Sequence, residues 1–172
     1  MTVNSYFGWE YNSHEAMRSD GTWLPIDFAN ACPDSQVTSL HYHFPWLVKA
    51  KVKWAVFCAV TGRKMRRNLD WQPFYDVAER DLPYRERLAA YAAIARERFE
   101  SERFAEFCAE HLAHLDEVTW EFFGTDTAKY AVRLKVRQLF PAHEVDEFTE
   151  HFWGLIDFWR KTEADRMNAS GG

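Results

Sequence analysis

Apolar side chains recur every three or four residues through much of the chain after Pro83. The first stripe consists of Tyr84, Leu88, Tyr91, Ala95 and Phe99. The second consists of Phe104, Cys108, His111, Leu115, Val118 and Phe122, and a later one of Val145, Phe148, Phe152, Ile156 and Trp159. This spacing is typical of α-helices that bury one face. The pattern therefore predicts a body built of packed helices.

Residues suited to helix ends divide this body into separate helices. If one helix ran straight from the first stripe into the second, the two stripes would lie on nearly opposite sides. Either the helix breaks near Ser101, which suits an N-cap, or one long helix contacts different neighbours on its two faces. Gly124 followed by Thr125 indicates a stop and a new cap. A basic helix over 127–140 and a last helix opening at Pro141 complete the predicted body.

Residues 46–61 carry two patterns at once. Apolar positions that alternate with three lysines are typical of a strand. A helical face is also present, formed by Leu47, Ala50, Trp54, Cys58 and Thr61. Pro45 suits a first helical turn, and Gly62 suits the left-handed residue after a last turn. We predict a helix here, with a strand as the alternative.

The first 45 residues show no sustained helical period. Glycines and prolines interrupt short apolar pieces, at Gly8, Gly21, Pro25, Pro33 and Pro45. The same segment is rich in aromatic side chains, namely Tyr6, Phe7, Trp9, Tyr11, Trp23 and Phe28. We predict an irregular, aromatic-rich arm that packs on another surface.

Together these patterns predict an all-α protein with a single domain over residues 1–172. It comprises the irregular arm (1–45), a body (46–167) with a bundle of about five helices, and a frayed tail (168–172). The chain is 47% hydrophobic and 27% charged. This composition excludes intrinsic disorder, because enough apolar surface is present to form a core.

Composition also bears on the location of the protein. The most apolar run, residues 54–60, is far shorter than the roughly 20 residues that cross a bilayer, and the first ten residues lack the pattern of a signal peptide. Cys32, Cys58 and Cys108 are odd in number and widely spaced, which favours reduced thiols. We predict a cytoplasmic protein without a membrane partner.

Aromatic side chains make up 17% of the chain. Rings fill cores, but a surplus is also typical of an interface or a ligand pocket, because tyrosine and tryptophan combine a large apolar area with a polar atom. The eight tryptophans exceed what we expect a core of this size to need. The surplus favours an interaction role for some of these rings.

Positive charge is concentrated in one part of the sequence. No acidic residue occurs between Asp34 and Asp70, whereas the segment contains Lys49, Lys51, Lys53, Arg63, Lys64, Arg66 and Arg67. Such a basic patch suits an anionic small molecule or an acidic partner protein. The simpler alternative is that these side chains are solvated and complement the negative end of a helix dipole. The net charge of −5 makes a nucleic-acid partner disfavoured.

Histidines and glutamates on two predicted helices are candidate metal ligands. They are His111, His114, Glu144, Glu147 and His151. Imidazole and carboxylate ligands together suit Fe, Mn or Zn. The alternative is that these are ordinary solvated residues of acidic helices, where neighbours three or four positions apart are common.

Two functions account for these features. The first is an accessory or structural subunit that docks on a larger partner protein, or self-associates, through the aromatic arm and the basic patch, with an anionic small molecule as a further ligand. The alternative is a small helical-bundle metal-dependent oxidase or oxygenase that uses the His and Glu ligands. We favour the subunit because it accounts for the rings and the separated charges together. The sequence has no P-loop, GxGxxG, GxSxG or HExxH motif, and whether the protein is an enzyme stays open.

Overall fold

Helices and one β-hairpin make up the computed structural model, which describes residues 1–29, 35–64 and 69–170. The N-terminal elements are α1 (Thr2–Phe7), β1 (Ser13–Ser19), β2 (Thr22–Ala29) and α2 (Val37–Leu40), followed by a 3₁₀ turn (His41–His43). The later elements are α3 (Phe44–Thr61), α4 (Gln72–Glu79), α5 (Tyr84–Arg98), α6 (Ser101–His111), α7 (Leu115–Phe122), α8 (Asp126–Leu139) and α9 (Val145–Ser170). The mainly helical fold is confirmed, but the helices outnumber the five predicted because short connections divide the body more often.

The described residues group into two compact units. Unit 1 comprises the described parts of Met1–Asp34 and Val56–Glu110, and unit 2 those of Ser35–Ala55 and His111–Gly172. Helix α3 contributes its first residues to unit 2 and its last residues to unit 1. The single domain indicated by the sequence stays a prediction.

The N-terminal arm contains a β-hairpin, so the prediction of an irregular segment is wrong here. Strands β1 and β2 pair antiparallel with Ser19 opposite Thr22, which leaves Asp20 and Gly21 as a two-residue turn. Both turn residues have positive φ, 49° for Asp20 and 79° for Gly21. This combination matches the twist of the flanking strands, and Asp-Gly is a preferred sequence for it. The pair specifies a turn and does not merely interrupt the chain.

Residues 46–61 lie in helix α3, which confirms the predicted helix, and the strand alternative is wrong. The helix begins at Phe44, so Pro45 lies in the first turn, where its missing N–H costs no hydrogen bond. Gly62 follows the helix with φ 66°, the left-handed conformation that favours glycine. Near the end of the helix, the Thr61 hydroxyl donates to the Phe57 carbonyl at 2.6 Å.

The predicted helix break near Ser101 is confirmed, but the apolar stripe before it is partly wrong. Helix α5 ends at Arg98 and α6 begins at Ser101. On α5, Tyr84 is 74% exposed and Leu88 48%, whereas Ala95 and Arg98 are buried. The buried residues of α5 therefore lie in its second half. Arg98 is buried there because its side chain donates a hydrogen bond to the backbone of α1.

The second predicted stripe is wrong beyond α6. Helix α6 ends at His111 and α7 begins only at Leu115, and this gap changes the phase of the helical face. Consequently Thr119 and Phe123 are buried, while Val118 and Phe122 are about half exposed. No glycine or proline marks the connection over 112–114, so this segment carries no signal for the end of a helix.

Unit 2 is built around the packing of α8 on α9. Thr125 caps α8 as predicted, with its hydroxyl accepting from the Ala128 amide at 3.2 Å. The stripe predicted on α9 is confirmed, since Phe148 packs against the core and the other four positions are buried. The buried core residues of unit 2 are Val37, Phe123, Ala128, Val132, Val136, Val145, Phe152, Ile156 and Trp159.

The last helix continues further than predicted. Residues 168–170, predicted as part of a frayed tail, belong to α9, whereas 171–172 lie outside the described residues. One support for these last turns is the bond from Arg166 to Glu163, three residues earlier, at 2.7 Å. Among the residues that the structure describes, no helix combines the length and apolar character needed to cross a membrane.

Ile156 tests the packing of unit 2 because its side chain is completely buried. We expect Ile156→Ala to lower the free energy of unfolding by about 3 to 4 kcal/mol, since the lost methylene groups leave a cavity. Urea unfolding followed by circular dichroism measures this change. Leu139→Ala, at a position 51% exposed, is the control and should cost under about 1 kcal/mol. Equal losses for the two variants would contradict the assigned core.

Candidate functional site

A buried arginine holds three segments of unit 1 together. Arg98, on α5, is 7% exposed. Its Nη1 donates to the Ser5 carbonyl of α1 at 2.9 Å, and its Nη2 donates to the carbonyl of Asp70, just before α4. The guanidinium carbon lies 4.8 Å from the centroid of the Phe74 ring on α4. We call this set of contacts the Arg98 anchor.

Arg63, one of the predicted basic-patch residues, belongs to the interior of unit 1. Its side chain is 7% exposed, and Nη1 donates to Glu10 Oε1 at 2.6 Å. Its Nη2 donates to the Arg98 carbonyl at 3.1 Å, and Nε lies 3.5 Å from Glu100 Oε1. These contacts give Arg63 a structural role next to the Arg98 anchor.

The β-hairpin of unit 1 is exposed over its whole middle part. Every residue from 15 to 27 is exposed. Four of these residues have large apolar side chains: Met17 (55% exposed), Trp23 (66%), Leu24 (48%) and Ile26 (56%). We call these four side chains the hairpin surface. Large exposed apolar side chains make the hairpin surface a candidate contact site for another molecule.

Both faces of the hairpin contribute to this surface. Met17 lies opposite Leu24, and Arg18 lies opposite Trp23, so these two pairs lie on opposite faces. Ile26 is the extra residue of a bulge. The neighbouring residues of β1, Glu15 and Ala16, pair with Asp27 and Pro25, and Ile26 lies between these two partners. Trp23 was predicted to be part of an interacting arm, whereas the strand pairing that positions it was not predicted.

In unit 2, two lysines of the predicted basic patch take part in an ionic network. Lys49 Nζ lies 3.0 Å from Asp116 Oδ1 and 3.3 Å from Glu163 Oε1. Lys53 Nζ is 3.9 Å from the same Asp116 oxygen. Arg166 Nη2 completes the network with 2.7 Å contacts to both carboxylates. We call this set the α9 network.

The carboxylates of this network are held in the ionised form. Burial alone would raise the pKa of Asp116, but hydrogen bonds from Lys49 and Arg166 outweigh it, so the pKa lies below its ordinary value. The bond from Arg166 is the largest cause that lowers the pKa of Glu163. The two carboxylates also raise the pKa of Arg166. The network therefore stabilises the folded state while the carboxylates stay charged.

The other predicted basic residues have different surroundings. Lys51 and Lys64 have exposed side chains, whereas Arg66 and Arg67 lie outside the described residues. Lys49 and Arg63 are largely covered and ion-paired. The described members therefore do not all present a charge to solvent, and the predicted anion contact stays a prediction.

The candidate metal ligands lie mostly on the surface of unit 2. Glu144 is only partly exposed, with Oε1 3.5 Å from His143 Nε2, and His114 Nδ1 is 3.3 Å from Glu117 Oε2. The other three, His111, Glu147 and His151, are exposed. Within residues 1–29, 35–64 and 69–170, no three His, Cys, Asp or Glu side chains are close enough to hold a metal ion together. These residues therefore give the predicted Fe, Mn or Zn site no support.

Neither described cysteine takes part in a disulfide. Cys58 and Cys108 are each partly buried, and Cys32 lies outside the described residues. Burial is the largest influence on the Cys58 thiol and raises its pKa, which disfavours the reactive thiolate at neutral pH. The cytoplasmic location stays a prediction.

Comparison with known proteins does not assign the chain to a family. No protein-family model, curated protein or solved structure matches it. A function must therefore be argued from the residues themselves, of which the Arg98 anchor, the hairpin surface and the α9 network are the main features.

The Arg98 anchor generates a stability prediction. We expect Arg98→Met to lower the free energy of unfolding by about 2 to 4 kcal/mol, because it leaves the carbonyls of Ser5 and Asp70 without this donor. Arg98→Lys should recover little, since one ammonium does not reproduce the geometry of a planar guanidinium. Urea unfolding measures both changes. Arg96→Met, at an exposed position on the same helix, is the control. An Arg98→Met variant as stable as the control would refute the anchor.

The α9 network generates a pH prediction. Because the folded-state pKa values of Asp116 and Glu163 are lowered, their contribution is full above the unfolded-state values near 4 and is lost as pH falls through the folded-state values. We expect wild type to exceed Asp116→Asn/Glu163→Gln in unfolding free energy by about 1 to 2 kcal/mol at pH 7, and by much less at pH 3. Urea unfolding at the two pH values measures both gaps.

The control for this prediction carries Asp146→Asn and Glu150→Gln, which neutralise two well-exposed carboxylates of α9. The difference in unfolding free energy between wild type and this control should be small at both pH values. A gap between wild type and the network variant that does not narrow at pH 3 would contradict the role assigned to the two carboxylates.

Proposed function

We propose that the protein is an accessory subunit that docks on a partner protein through its β-hairpin. The observation that carries this proposal is the hairpin surface, whose four large apolar side chains are each about half exposed or more. Covering such a side chain contributes roughly 1 kcal/mol per residue to binding before the costs of association. Covering the hairpin surface would therefore contribute favourably to the free energy of binding.

The small size of the sheet supports the same proposal. A two-stranded hairpin is only marginally stable by itself, because it has few side chains that bury one another. Residues 15–27 are exposed on both faces, so this sheet gains little from burial in unit 1. A partner that covers one face would supply the missing contact and order the hairpin on binding.

The chemistry of the strands favours contact through a face over contact through an edge. An added strand needs an uninterrupted row of N–H and C=O groups. Pro25 removes one N–H from β2, and the bulge at Ile26 distorts the neighbouring pairing. The face that carries Trp23 and Arg18 offers the two residue types that most often dominate binding energy at protein interfaces. The partner we propose is therefore a protein with an apolar surface lined by acidic groups.

The basic patch has a smaller part in this proposal than the sequence suggested. Lys49 and Arg63 are paired with carboxylates of their own units. Lys51 and Lys64 are exposed at the surface, where contact with an acidic partner or an anionic ligand is possible. Contact by these two side chains is a secondary feature of the proposed docking.

A variant that keeps the strands but removes the apolar surface tests the proposal. In Trp23→Thr/Leu24→Thr/Ile26→Thr the side chains become smaller and more polar, while threonine retains a high β-propensity. We expect a photo-crosslinking residue placed at position 16, on the same face as Arg18 and Trp23, to capture one protein in cell extract at a defined stoichiometry. We also expect the triple variant to reduce that capture at least tenfold.

The matched control carries Tyr130→Gln, Leu134→Gln and Leu139→Gln. These are three exposed apolar residues of α8, between 40% and 58% exposed. This control should capture the partner as wild type does, with equal helicity by circular dichroism. Capture that is the same in the hairpin variant and wild type would rule out docking through the hairpin. Association of the chain only with itself would also contradict a separate partner.

A further inference from the structure

Helices α1, α4 and α5 of unit 1 enclose an open cavity whose walls are mainly aromatic. Its volume is about 380 Å³. Five of its lining residues carry rings, namely Tyr6, Phe7, Phe74, Tyr75 and Tyr91, and the others are threonine, valine and alanine. None of the lining residues carries a charge. We call this space the aromatic cavity.

The Tyr6 ring meets its neighbours in the aromatic cavity at steep angles. The Tyr6 ring is nearly perpendicular to Phe7, at 83° and 5.0 Å between centroids, and to Phe74, at 80° and 5.2 Å. The nearly parallel rings of Phe74 and Tyr91 (22°) are only 5.9 Å apart between centroids, too close to admit a flat ligand between them. The hydroxyls of Tyr6 and Tyr75 lie 3.3 Å apart. A flat ligand fits best between parallel rings, whereas walls that meet at right angles surround a rounded group. The shape therefore favours a compact, rounded ligand group over a planar one.

The electrostatics of the cavity favour a cation. The face of an aromatic ring is negative and attracts positive charge. Phe74 is already occupied by such a contact from Arg98, whose guanidinium carbon is 4.8 Å from the ring centroid, so a ligand cation would contact the tyrosine rings. The hydrogen bond with Tyr75, and burial to a lesser degree, raises the pKa of the Tyr6 phenol. Tyr6 therefore acts through its neutral ring and hydroxyl at neutral pH.

Among the described lining residues there is no carboxylate, and this narrows the class of cation. A primary ammonium is strongly hydrated and needs hydrogen-bond acceptors to replace its water, whereas a methylated ammonium has an apolar surface and is desolvated at lower cost. Aromatic walls suit the second class. We propose that the aromatic cavity binds a quaternary ammonium group, carried by a small molecule or by a methylated lysine side chain.

This inference does not depend on docking through the hairpin, because the two features use different residues of unit 1. The Trp23→Thr/Leu24→Thr/Ile26→Thr variant should bind the ammonium probe with wild-type affinity. Failure of the proposed docking and failure of the ammonium site are therefore separate results.

A titration with charged and neutral probes of the same shape tests the proposal. The full-length chain is titrated with tetramethylammonium, with choline and with 3,3-dimethyl-1-butanol, the uncharged counterpart of choline, while aromatic ¹H–¹³C NMR signals are recorded. We expect dissociation constants on the order of 0.1 to 1 mM for the two cations, and at least tenfold weaker binding of the neutral compound. Equal or tighter binding of the neutral compound would overturn the proposal.

Substitutions of Tyr75 test the cavity without disturbing the fold, since this residue is 46% exposed and tolerates change. Tyr75→Phe keeps the ring and should stay within about threefold of wild type, whereas Tyr75→Leu keeps apolar bulk without a ring and should bind choline about tenfold more weakly. Tyr130→Leu, on α8 of unit 2, should have no effect. Unchanged binding by Tyr75→Leu would refute the site.

A second arm distinguishes the two sources of the ammonium group. Peptides containing trimethyllysine or unmodified lysine are titrated alongside choline. Tighter binding of the trimethyllysine peptide than of choline identifies a modified protein as the source, and the reverse order identifies a small molecule. Binding of the unmodified lysine peptide as tightly as the trimethylated one would contradict a site selective for a quaternary ammonium.

Discussion

Unit 1 depends on a positive charge that is held away from water. Burial of the charged guanidinium of Arg98 carries a desolvation cost that nearby groups must offset. The carbonyls of Ser5 and Asp70 and the face of the Phe74 ring offset this cost, and none of these groups belongs to α5 itself. The same contacts fix α1 and α4 against α5, and these three helices form the aromatic cavity. The interaction that stabilises unit 1 is therefore also the one that sets the positions of its candidate ligand-binding rings.

The two candidate binding features of unit 1, the aromatic cavity and the hairpin surface, differ in how firmly the surrounding structure holds them in place. The aromatic cavity lies between helices joined by buried polar contacts, and such a preorganised site loses little entropy on binding. The hairpin is exposed along residues 15–27, so a partner would order it. In unit 2, most rings and apolar side chains are used to build the core between α8 and α9. Many of the rings therefore fill cores, while exposed rings are found on both units, such as Trp23 of unit 1 and Trp46 of unit 2.

Local signals made some of the fold predictable from the sequence. The helix ends at Gly62 and Thr125 agree with the residue types found there, because conformation at such positions depends on nearest neighbours. The break near Ser101 was also predicted, but Ser101 is the first residue of α6 and not its cap. The Asp20–Gly21 pair is an equally local signal for a hairpin turn, although no strands were predicted on either side of it. Arg98 gave no signal, because an arginine in the last turn of a helix ordinarily faces water and complements the dipole. The α9 network was out of reach for another reason: Lys49, Asp116 and Glu163 are far apart in sequence and meet only through tertiary packing.

The state of the Arg98 side chain tests this account most directly. In an NMR spectrum that detects guanidinium protons, Arg98 should show slow exchange with water and nuclear Overhauser effects to the ring protons of Phe74, since its Nη groups are bonded and its Cζ lies over that ring. Its signals should also be shifted upfield by the ring. Rapid exchange with water, with no contact to Phe74, would contradict the buried anchor on which the fold of unit 1 and its aromatic cavity depend.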